Sequence, residues 1–539
     1  MRRRVAVSLA PLAAGAALAA GLAQPHVSVA ADTPKGGTLR IGSFVDVDFV
    51  DPALGYTMNA GLIADATCAR LFEYRAASDA TGGRVTPNVV RSFSVSRDGR
   101  TYSFRLQETF RFHTGARVTA RSFADALDRD ADPRLPSPAK AFLHEIVGAD
   151  AVIGGTAASI SGIRVLDRFQ LEVRLTKRVE DFPARLTLAF FCPILPDTRV
   201  DPRGIDDPAG SGPYYVAERI RNQRVVLKRN PYYRGNRPAN VDEMVWTIGG
   251  TLRDCQRAVE EDRLDFCGEV SAPSDAWRAL AERYGVNRPD GQVFASPSHG
   301  TWYFAFNHTR PAFAGRGQIP LKKAINFAID RPALARTLGF LAVTRTDQML
   351  PAALTRPAGI YPLGGADVAA ARRWYAKARR KPRTLVLYTW NRPPQVAMAE
   401  VLAFNLRQLG IDLDVEYFDV GAVFEKATTP GEPFDLVLGG WVADYPDPWG
   451  FFGSLLDPRV GPLRLTVDPQ VLRRMEEANR LPGAARSSTW AEIDVDLMRN
   501  DPPWAPFAHH QNLMLVSRSV GCFRRTPIFA IDITALCKR

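Results

Sequence analysis

Apolar and polar residues alternate on both sides of an Asp98-Gly99 pair. The alternating apolar positions are Phe93, Val95, Tyr102, Phe104 and Leu106. Successive side chains of a strand point to opposite faces, and Asp-Gly is a preferred two-residue hairpin turn. The pattern therefore predicts a β-hairpin centred on this pair.

Three further segments in the first half of the chain show a regular pattern. Thr119 precedes an amphipathic segment that extends through Leu127, and threonine is a preferred residue at the start of a helix. Apolar residues alternate from Phe169 to Leu175, and the segment 224–228 has the same character before Asn230-Pro231. The sequence predicts one helix and two strands here.

The clearest pattern lies between residues 384 and 456. It predicts a strand at 385–388, a helix at 396–409 followed by Gly410, a strand at 411–417, a short helix at 420–427 and a strand at 434–438. Alternating strands and helices of this kind form a βαβαβ unit with parallel strands.

Aromatic residues and one carboxylate follow the strands of this predicted unit. Trp390 and Phe418 end two of the strands, and Trp441, Asp444 and Tyr445 follow the third. Ligands bind outside the carboxyl ends of the strands in open parallel sheets. We therefore expect a binding site at this edge of the sheet.

Two aspartates lie close together in this segment and have different predicted roles. Asp447-Pro448 has the pattern of a helix start, with Asp447 as N-cap and Pro448 in the first turn of a helix through Leu456. Asp444 is then free of capping and is a candidate ligand anchor. The alternative is that Asp444 is an ordinary turn residue.

Residues 1–31 have the pattern of a signal peptide. Arg2, Arg3 and Arg4 precede an apolar stretch rich in Ala and Leu, and small residues follow near Ala30 and Ala31. The alternative is a membrane anchor, although the stretch is only weakly apolar and barely long enough. We expect export by the general secretory route, with the twin-arginine route left open, and removal of residues 1–31.

The six cysteines are expected to form disulfides in an exported protein. Their positions are 68, 192, 255, 267, 522 and 537, and the first lies too far from the apolar stretch for lipid attachment. Six cysteines allow fifteen connectivities. Proximity favours Cys255 with Cys267 and Cys522 with Cys537, which leaves Cys68 for Cys192.

Charge and motif content argue against several other functions. The net charge of +12 over 539 residues reflects an arginine-rich composition, without a basic cluster interleaved with aromatics that would indicate nucleic-acid binding. No nucleophile elbow, zinc-protease, phosphate-loop or dinucleotide-binding motif is present. The adjacent His509 and His510 would point to opposite faces of a strand, so they suit a shared metal ion poorly. We expect no cofactor and no enzymatic activity, with a secreted hydrolase as the remote alternative.

Five motifs appear in an order that resembles one family. They are YSFRL with FRFHTG (102–115), GSGPY (210–214), NPYY (230–233), AINFAIDR (324–331) and GWVADYPDP (440–448). Together they resemble the family 5 extracellular solute-binding proteins, which include oligopeptide, dipeptide and nickel receptors of ABC importers. The match runs from about Gly37 to about Val520.

The resemblance implies an α/β, two-lobed periplasmic-binding-protein fold with an auxiliary domain. Lobe I would comprise 32–58, 205–330 and 503–539, the auxiliary domain 59–204, and lobe II 331–502. Two crossover segments would act as a hinge, and ligand would stabilise the closed state.

The resemblance also implies a role for Asp444, which matches the aspartate that pairs with the ligand's α-ammonium group in peptide receptors. Val442 occupies a position that is Cys in some of these receptors. Trp441, Tyr445, Trp390 and Phe418 are the accompanying candidates for ligand contact.

A second candidate contact is the strand-like segment TWYFAFN. Trp302, Tyr303 and Asn307 would present backbone groups to an extended peptide, in the manner of strand addition. The alternative is a core strand followed by a turn at Asn307.

The sequence as a whole predicts a periplasmic or extracellular monomer that captures a ligand for membrane permease subunits of an ABC importer. A peptide is the expected ligand. An oligosaccharide, an opine-like compound or a metal chelate is the alternative, and Asp444 discriminates between them because a neutral sugar offers a desolvated carboxylate no partner.

Overall fold

The computed structural model describes residues 35–74, 84–268, 272–288, 290–351, 354, 359–457, 467–526 and 528–539. The predicted signal peptide, residues 1–31, lies outside the described residues. The described residues belong to one unit, Pro34–Arg539.

The strands of the described residues form three larger sheets and two short ribbons. In chain order they are β1 (Thr38–Ser43), β2 (Phe72–Tyr74), β3 (Val85–Pro87), β4 (Val90–Val95), β5 (Thr101–Leu106), β6 (Ile163–Asp167), β7 (Gln170–Arg174), β8 (Tyr214–Ile220), β9 (Arg224–Arg229), β10 (Glu243–Ile248), β11 (Phe266–Cys267), β12 (Val293–Phe306), β13 (Val343–Arg345), β14 (Thr384–Trp390), β15 (Asp412–Phe418), β16 (Leu436–Val442), β17 (Trp504–Leu515), β18 (Val520–Gly521) and β19 (Cys537–Lys538).

The helices of the described residues cover these sheets and connect their strands. They are α1 (Met58–Thr67), α2 (Ala120–Ala131), α3 (Ala149–Ile153), α4 (Phe182–Arg185), α5 (Leu252–Glu260), α6 (Trp277–Tyr284), α7 (Ile319–Ala328), α8 (Arg331–Leu338), α9 (Val368–Ala376), α10 (Pro393–Arg407), α11 (Val420–Thr428), α12 (Pro448–Leu456), α13 (Pro469–Ala478) and α14 (Gly483–Asn500).

Each of the larger sheets draws on a different part of the chain. The five-stranded sheet has the order β11-β1-β10-β9-β8, the four-stranded sheet β4-β5-β7-β6 and the six-stranded sheet β13-β17-β12-β16-β14-β15. The six-stranded sheet is mixed, because β14 lies parallel to both β15 and β16 whereas β12 is antiparallel to its neighbours.

The predicted βαβαβ unit is present in the six-stranded sheet. Strands β14, β15 and β16 alternate with α10 and α11 along the chain. One face of α10 packs Met398, Leu402 and Leu406 into a core shared with Leu385 and Leu387 of β14. Burial of this apolar face supplies most of the stability of such a helix.

The hairpin predicted at Asp98-Gly99 is also present. Strands β4 and β5 pair antiparallel, with Phe93 opposite Phe104. Gly99 has a φ of +71°, a conformation that glycine adopts without strain. Thr119 caps α2 as predicted, and this helix extends beyond Leu127 to Ala131.

Strands β12 and β17 are long and serve two separate cores. Val293 and Leu515, which pair at one end, pack with the Cys255–Cys267 region. Phe304 and Ala505, which pair at the other end, pack with the helices of the six-stranded sheet. The register shifts between Pro297 and Thr301. The two strands therefore connect the five-stranded and six-stranded regions.

All six cysteines form the three pairs that proximity favoured. The bonds join Cys68 to Cys192, Cys255 to Cys267 and Cys522 to Cys537. Among the described residues, no helix combines the length and apolar character needed to cross a membrane.

Candidate functional site

A cavity of about 700 Å³ lies where separate parts of the chain meet. This volume is in the range of small-ligand pockets. Its walls come from residues 55–58 and 61, 187–190, 440–444 and parts of 524–532, with Phe424 and a group of charged residues completing them.

Asp444 lies on the cavity wall just after β16. Its Oδ1 accepts a hydrogen bond of 2.7 Å from the Tyr56 hydroxyl. Its Oδ2 is buried and accepts no hydrogen bond from the described residues. Burial raises the pKa of the Asp444 carboxyl to about 6, and the hydrogen bond from Tyr56 opposes this shift. The site thus holds a desolvated carboxylate on the cavity wall, held by the Tyr56 hydroxyl and facing no cationic side chain among the described residues.

The loop before α1 holds Tyr56 in place. Asp48 accepts hydrogen bonds from the backbone of Tyr56 at 2.7 Å and of Thr57 at 3.1 Å, and from the Thr57 hydroxyl at 2.7 Å. Thr57 also caps α1, because its side chain accepts from Ala60 N. Burial and the Asp444 charge raise the pKa of Tyr56, so its hydroxyl stays protonated and donates to the carboxylate.

Aromatic side chains line the cavity on both sides of Asp444. Tyr56 packs on Phe190 with ring centroids 5.7 Å apart. Trp441 and Phe424 are also on the wall. The buried Nε1–H of Trp441 donates to none of the described residues. The wall can therefore pack against apolar parts of a ligand.

Four charged residues on the cavity wall are paired with one another. Arg70 forms an ion pair with Asp65, and Arg237 lies 3.6 Å from both Asp65 and Glu73. Burial raises the pKa of Glu73, although Arg237 and Arg70 oppose the shift. Two carboxylates thus face two guanidinium groups, and this part of the wall is internally balanced.

Of the eight residues predicted to contact ligand, Asp444 and Trp441 lie on the cavity wall. Trp390 is nearly buried and packs edge-on against Trp302, with centroids 5.7 Å apart. Phe418 packs against Tyr388 at 4.9 Å. Trp390 and Phe418 thus end their strands as predicted, but neither lines the cavity.

The structure places the TWYFAFN segment in the interior of the sheet. Strand β12 pairs with β16 on one side and with β17 on the other, so its backbone groups are already used. Tyr303 is 2% exposed, and the Asn307 side chain donates to Phe434 O at 2.9 Å. Trp302 stacks on His510. The interpretation of strand addition at this segment is wrong, because β12 has no free edge there.

Tyr445 faces away from the cavity into a buried ionic network. Its hydroxyl donates to Asp181 at 2.5 Å, and Asp181 also pairs with Arg185 at 3.0 Å. Arg185 pairs in turn with Glu145 at 2.6 Å. Tyr445 therefore joins the loop after β16 to α4, and the structure gives it a packing role.

Asp447 caps α12 as predicted, accepting from Trp449 N at 2.8 Å. It also forms a largely buried ion pair with Arg486 at 2.5 Å. The predicted cap is therefore confirmed, and Asp447 has a second role, since removing its charge would leave a buried guanidinium group without its ion-pair partner.

Sequence reasoning missed the residues that complete the cavity from distant parts of the chain. Tyr56 precedes a helix, Phe190 lies on a short 3₁₀ helix, and Arg524 and Phe529 belong to the C-terminal loop. None of them lies in a recognisable motif. Their proximity to Asp444 arises from tertiary packing alone.

The histidine pair has two separate environments. His509 Nδ1 lies 3.0 Å from the Thr301 hydroxyl, whereas the His510 ring stacks on Trp302. Burial lowers the pKa of His509 to about 3 and of His510 to about 4. Within the part of the chain that the structure describes, no group of His, Cys, Asp and Glu has the arrangement of a metal site.

A cavity of this size, lined by aromatics and by a desolvated carboxylate that no cation neutralises, is the site of a receptor for a small solute. The family described as bacterial extracellular solute-binding proteins, family 5 Middle, matches residues 84–461. The chain belongs to this family, whose members are substrate-binding proteins.

Curated relatives match nearly the whole chain. The periplasmic oligopeptide-binding protein OppA of Escherichia coli is 24% identical over 94% of this chain and 94% of its own length. The periplasmic murein peptide-binding protein MppA of Escherichia coli is also 24% identical, over 80% of this chain and 81% of its own.

Solved structures confirm the predicted α/β, two-lobed fold. The clavulanic acid biosynthesis oligopeptide binding protein 2 has a TM-score of 0.85 at 23% identity, covering 94% of this chain and 96% of its own. OppA of Haemophilus influenzae in complex with the peptide RPPGFSPFR has a TM-score of 0.74 at 19% identity, covering 94% of this chain and 99% of its own.

Proposed function

We propose that this protein captures a short peptide outside the cytoplasmic membrane and delivers it to the permease subunits of an ABC importer, without catalysing a reaction. Relatives over most of the chain are named as oligopeptide-binding and murein peptide-binding periplasmic proteins. The relative from Haemophilus influenzae was solved in complex with a peptide. Periplasmic location, monomeric state and peptide ligand are part of this proposal.

The observation that carries the proposal is the desolvated carboxylate of Asp444 on the cavity wall, which no cationic side chain neutralises. A buried carboxylate without a cationic partner is costly, and a cation with several N–H donors removes that cost. The α-ammonium group of a peptide is such a cation. A neutral oligosaccharide would leave the charge uncompensated.

The remaining candidate residues divide by position. Trp441, Tyr56 and Phe190 contact the ligand from the wall in this proposal. Trp302 and Trp390 support that wall from behind, since the Trp302 ring packs on Gly440 and Trp390 packs on Trp302. Tyr445, Tyr303, Asn307 and Phe418 stabilise the surrounding structure.

The lobe boundaries are also proposed. The five-stranded sheet, whose strands lie within 38–43 and 214–267, supports a lobe I drawn from 32–58 and the first part of 205–330, and the four-stranded sheet supports an auxiliary domain within 59–204. We place the crossovers inside β12 and β17, near the register shift after Pro297, rather than at 331 and 503. The two strands continue into the sheet of lobe II, and a bulge is a natural bending point.

A hinge at this point predicts closure on ligand, seen as a smaller radius of gyration in small-angle scattering. Scattering with and without a saturating bound peptide tests it. An unchanged radius would contradict closure.

The function is tested by offering the purified mature protein a mixed pool of peptides and analysing what it retains by mass spectrometry. Retention of intact peptides supports the proposal. If the protein retains a sugar or a chelate from a parallel pool and retains no peptide, the alternative ligand class replaces the peptide in this proposal. Peptide cleavage would indicate a hydrolase.

A further inference from the structure

The four carboxylates of the described cavity wall differ in their partners, and Asp444 has the Tyr56 hydroxyl. Asp65 and Glu73 lie against arginines, as described above. Asp532 Oδ1 accepts from Thr534 N at 3.0 Å and from the Thr534 hydroxyl at 2.6 Å. Asp65 and Glu73 are thus neutralised by arginines, whereas Asp444 and Asp532 lie on the wall with hydrogen-bond partners alone.

The basic residues of the wall show the same division. Arg70 and Arg237 are held by Asp65 and Glu73. Arg524 is exposed on the wall, and its guanidinium group forms no ion pair or hydrogen bond with the described residues. It is the basic side chain of the described wall that is available to an anion.

The backbone that carries Arg524 is fixed although its side chain is free. The Cys522–Cys537 bond closes the loop, and Phe523 stacks on Phe294 with centroids 3.9 Å apart. Arg524 O accepts from Asp532 N at 2.9 Å. Arg525 donates to the Asn287 side chain at 2.9 Å. The neighbours of Arg524 are thus anchored on both sides.

The same loop packs closely on α1. Phe529 lies so near Gly61 that a Cβ atom there would stand 2.3 Å from the ring. Because side chains cannot approach so closely, the loop fits against this helix only where residue 61 is glycine. The loop is therefore a fixed wall of the cavity.

We propose that Arg524 binds a carboxylate of the ligand, so that the cavity recognises a zwitterion through Asp444 at one charge and Arg524 at the other. The planar guanidinium group can donate two parallel hydrogen bonds to a carboxylate. The inference rests on the proposed function and narrows it to short peptides with a free terminal carboxyl group or an acidic side chain.

The test uses the full mature protein and a pool of tripeptides built from Ala, Leu, Phe and Ser. Each peptide is supplied in three forms: free, C-terminally amidated and N-acetylated. Retained peptides are ranked by mass spectrometry, and those retained best are measured by calorimetry. We expect amidation to weaken binding roughly 10-fold, a factor suited to a charge-assisted contact at an exposed residue.

Substitutions test whether Arg524 causes the preference for free over amidated peptides. Arg524→Gln should weaken binding of free peptides about 10-fold and leave amidated peptides unchanged, whereas Arg524→Lys should restore part of the preference. Arg525→Gln, which changes the neighbouring arginine outside the wall, should keep the wild-type preference. A tripeptide amide with an acidic side chain carries its carboxylate on the side chain alone. Its binding therefore distinguishes recognition of a side-chain carboxylate from recognition of the terminal carboxyl group.

The outcomes separate this inference from the proposed function. Equal binding of free and amidated peptides, or a preference that survives in Arg524→Gln, overturns the role of Arg524 while the peptide receptor stands. Retention of no peptide in any form overturns the receptor for peptides and this inference with it.

Discussion

At the scale of single residues, Asp444 combines a binding role with a cost in stability. Its charged form is desolvated in the unliganded protein, as its raised pKa of about 6 indicates. A cation of the ligand compensates for this loss of solvation, whereas the unliganded cavity supplies no positive charge to do so. Binding and stability should therefore respond in opposite directions to its removal.

We predict that Asp444→Asn weakens binding of free-amine peptides by roughly 2 to 5 kcal/mol, the range for losing one partner of a buried charge pair. Calorimetry with free and N-acetylated forms of a retained peptide measures this. Asp414→Asn, which alters an exposed carboxylate on β15 of the same sheet, is the control and should change affinity little. Equal wild-type affinity for both forms would refute the anchor role.

The ligand-free Asp444→Asn protein should be more stable than wild type at pH 7.5 by up to about 3 kcal/mol. The folded-state pKa of Asp444 is raised from 3.8 to about 6, so ionisation above pH 6 destabilises the wild-type fold. The difference should shrink as the pH falls through 6 and vanish near 4. Urea unfolding at several pH values measures it, and a difference that stays constant with pH would contradict the mechanism.

Peptide affinity itself should depend on pH. An α-ammonium group stays protonated below pH 7, whereas a carboxyl with a pKa of about 6 loses its charge as the pH falls. Affinity should drop about tenfold from pH 7 to pH 5. Calorimetry at a series of pH values checks this, and the dependence should be absent in Asp444→Asn.

At the scale of elements, the sequence predicted regular structure well and side-chain direction poorly. The hairpin at Asp98-Gly99, the cap at Thr119 and the βαβαβ unit are encoded by local periodicity and turn chemistry. Tyr445 shows the limit of such reasoning. Whether it faced a ligand or a buried aspartate depended on α4, more than 250 residues away.

The buried network around Tyr445 yields a prediction about stability. Tyr445→Phe removes a donor from the buried carboxylate of Asp181 and should lower the free energy of unfolding by about 1 to 3 kcal/mol. Peptide affinity should change little, because Tyr445 lies outside the cavity wall. Chemical denaturation and calorimetry test the two parts, with the exposed Tyr232→Phe as control. A large loss of affinity at unchanged stability would indicate that Tyr445 contacts the ligand.

At the scale of the whole molecule, the family and the two-lobed fold followed from motifs in the right order, but the cavity did not. Asp444 and Trp441 were identified because they follow a strand in a parallel unit. Tyr56 and Arg524 reach the same cavity from opposite ends of the chain. Only the folding of the complete chain brings them together, so no local pattern could reveal them.

A comparison of two disulfides of similar span distinguishes effects on stability from effects on binding. The bonds Cys255–Cys267 and Cys522–Cys537 join residues 12 and 15 positions apart. Replacing either pair by serine should lower the free energy of unfolding by about 3 kcal/mol in the chain-entropy model. Only the loss of Cys522–Cys537, which closes a loop of the cavity wall, should also weaken peptide binding.

Unfolding in guanidinium chloride and calorimetry of both double variants make this comparison. Loss of affinity in the Cys255→Ser/Cys267→Ser protein, which lacks a bond away from the cavity, would show that binding follows stability alone. Unchanged affinity without Cys522–Cys537 would show that the loop keeps its position by packing.

The disulfide-closed C-terminal loop also contains an exposed wall position, Arg524, at which ligand range can change. The described residues of 522–537 contribute to the cavity wall, and no strand of the three larger sheets passes through them. Ile531, Ile533 and Leu536 of this loop are buried in the core and must stay apolar, whereas the exposed Arg524 can be replaced without disturbing a core strand. After gene duplication, we expect ligand range to diverge first at such exposed wall positions, with the folded scaffold inherited unchanged.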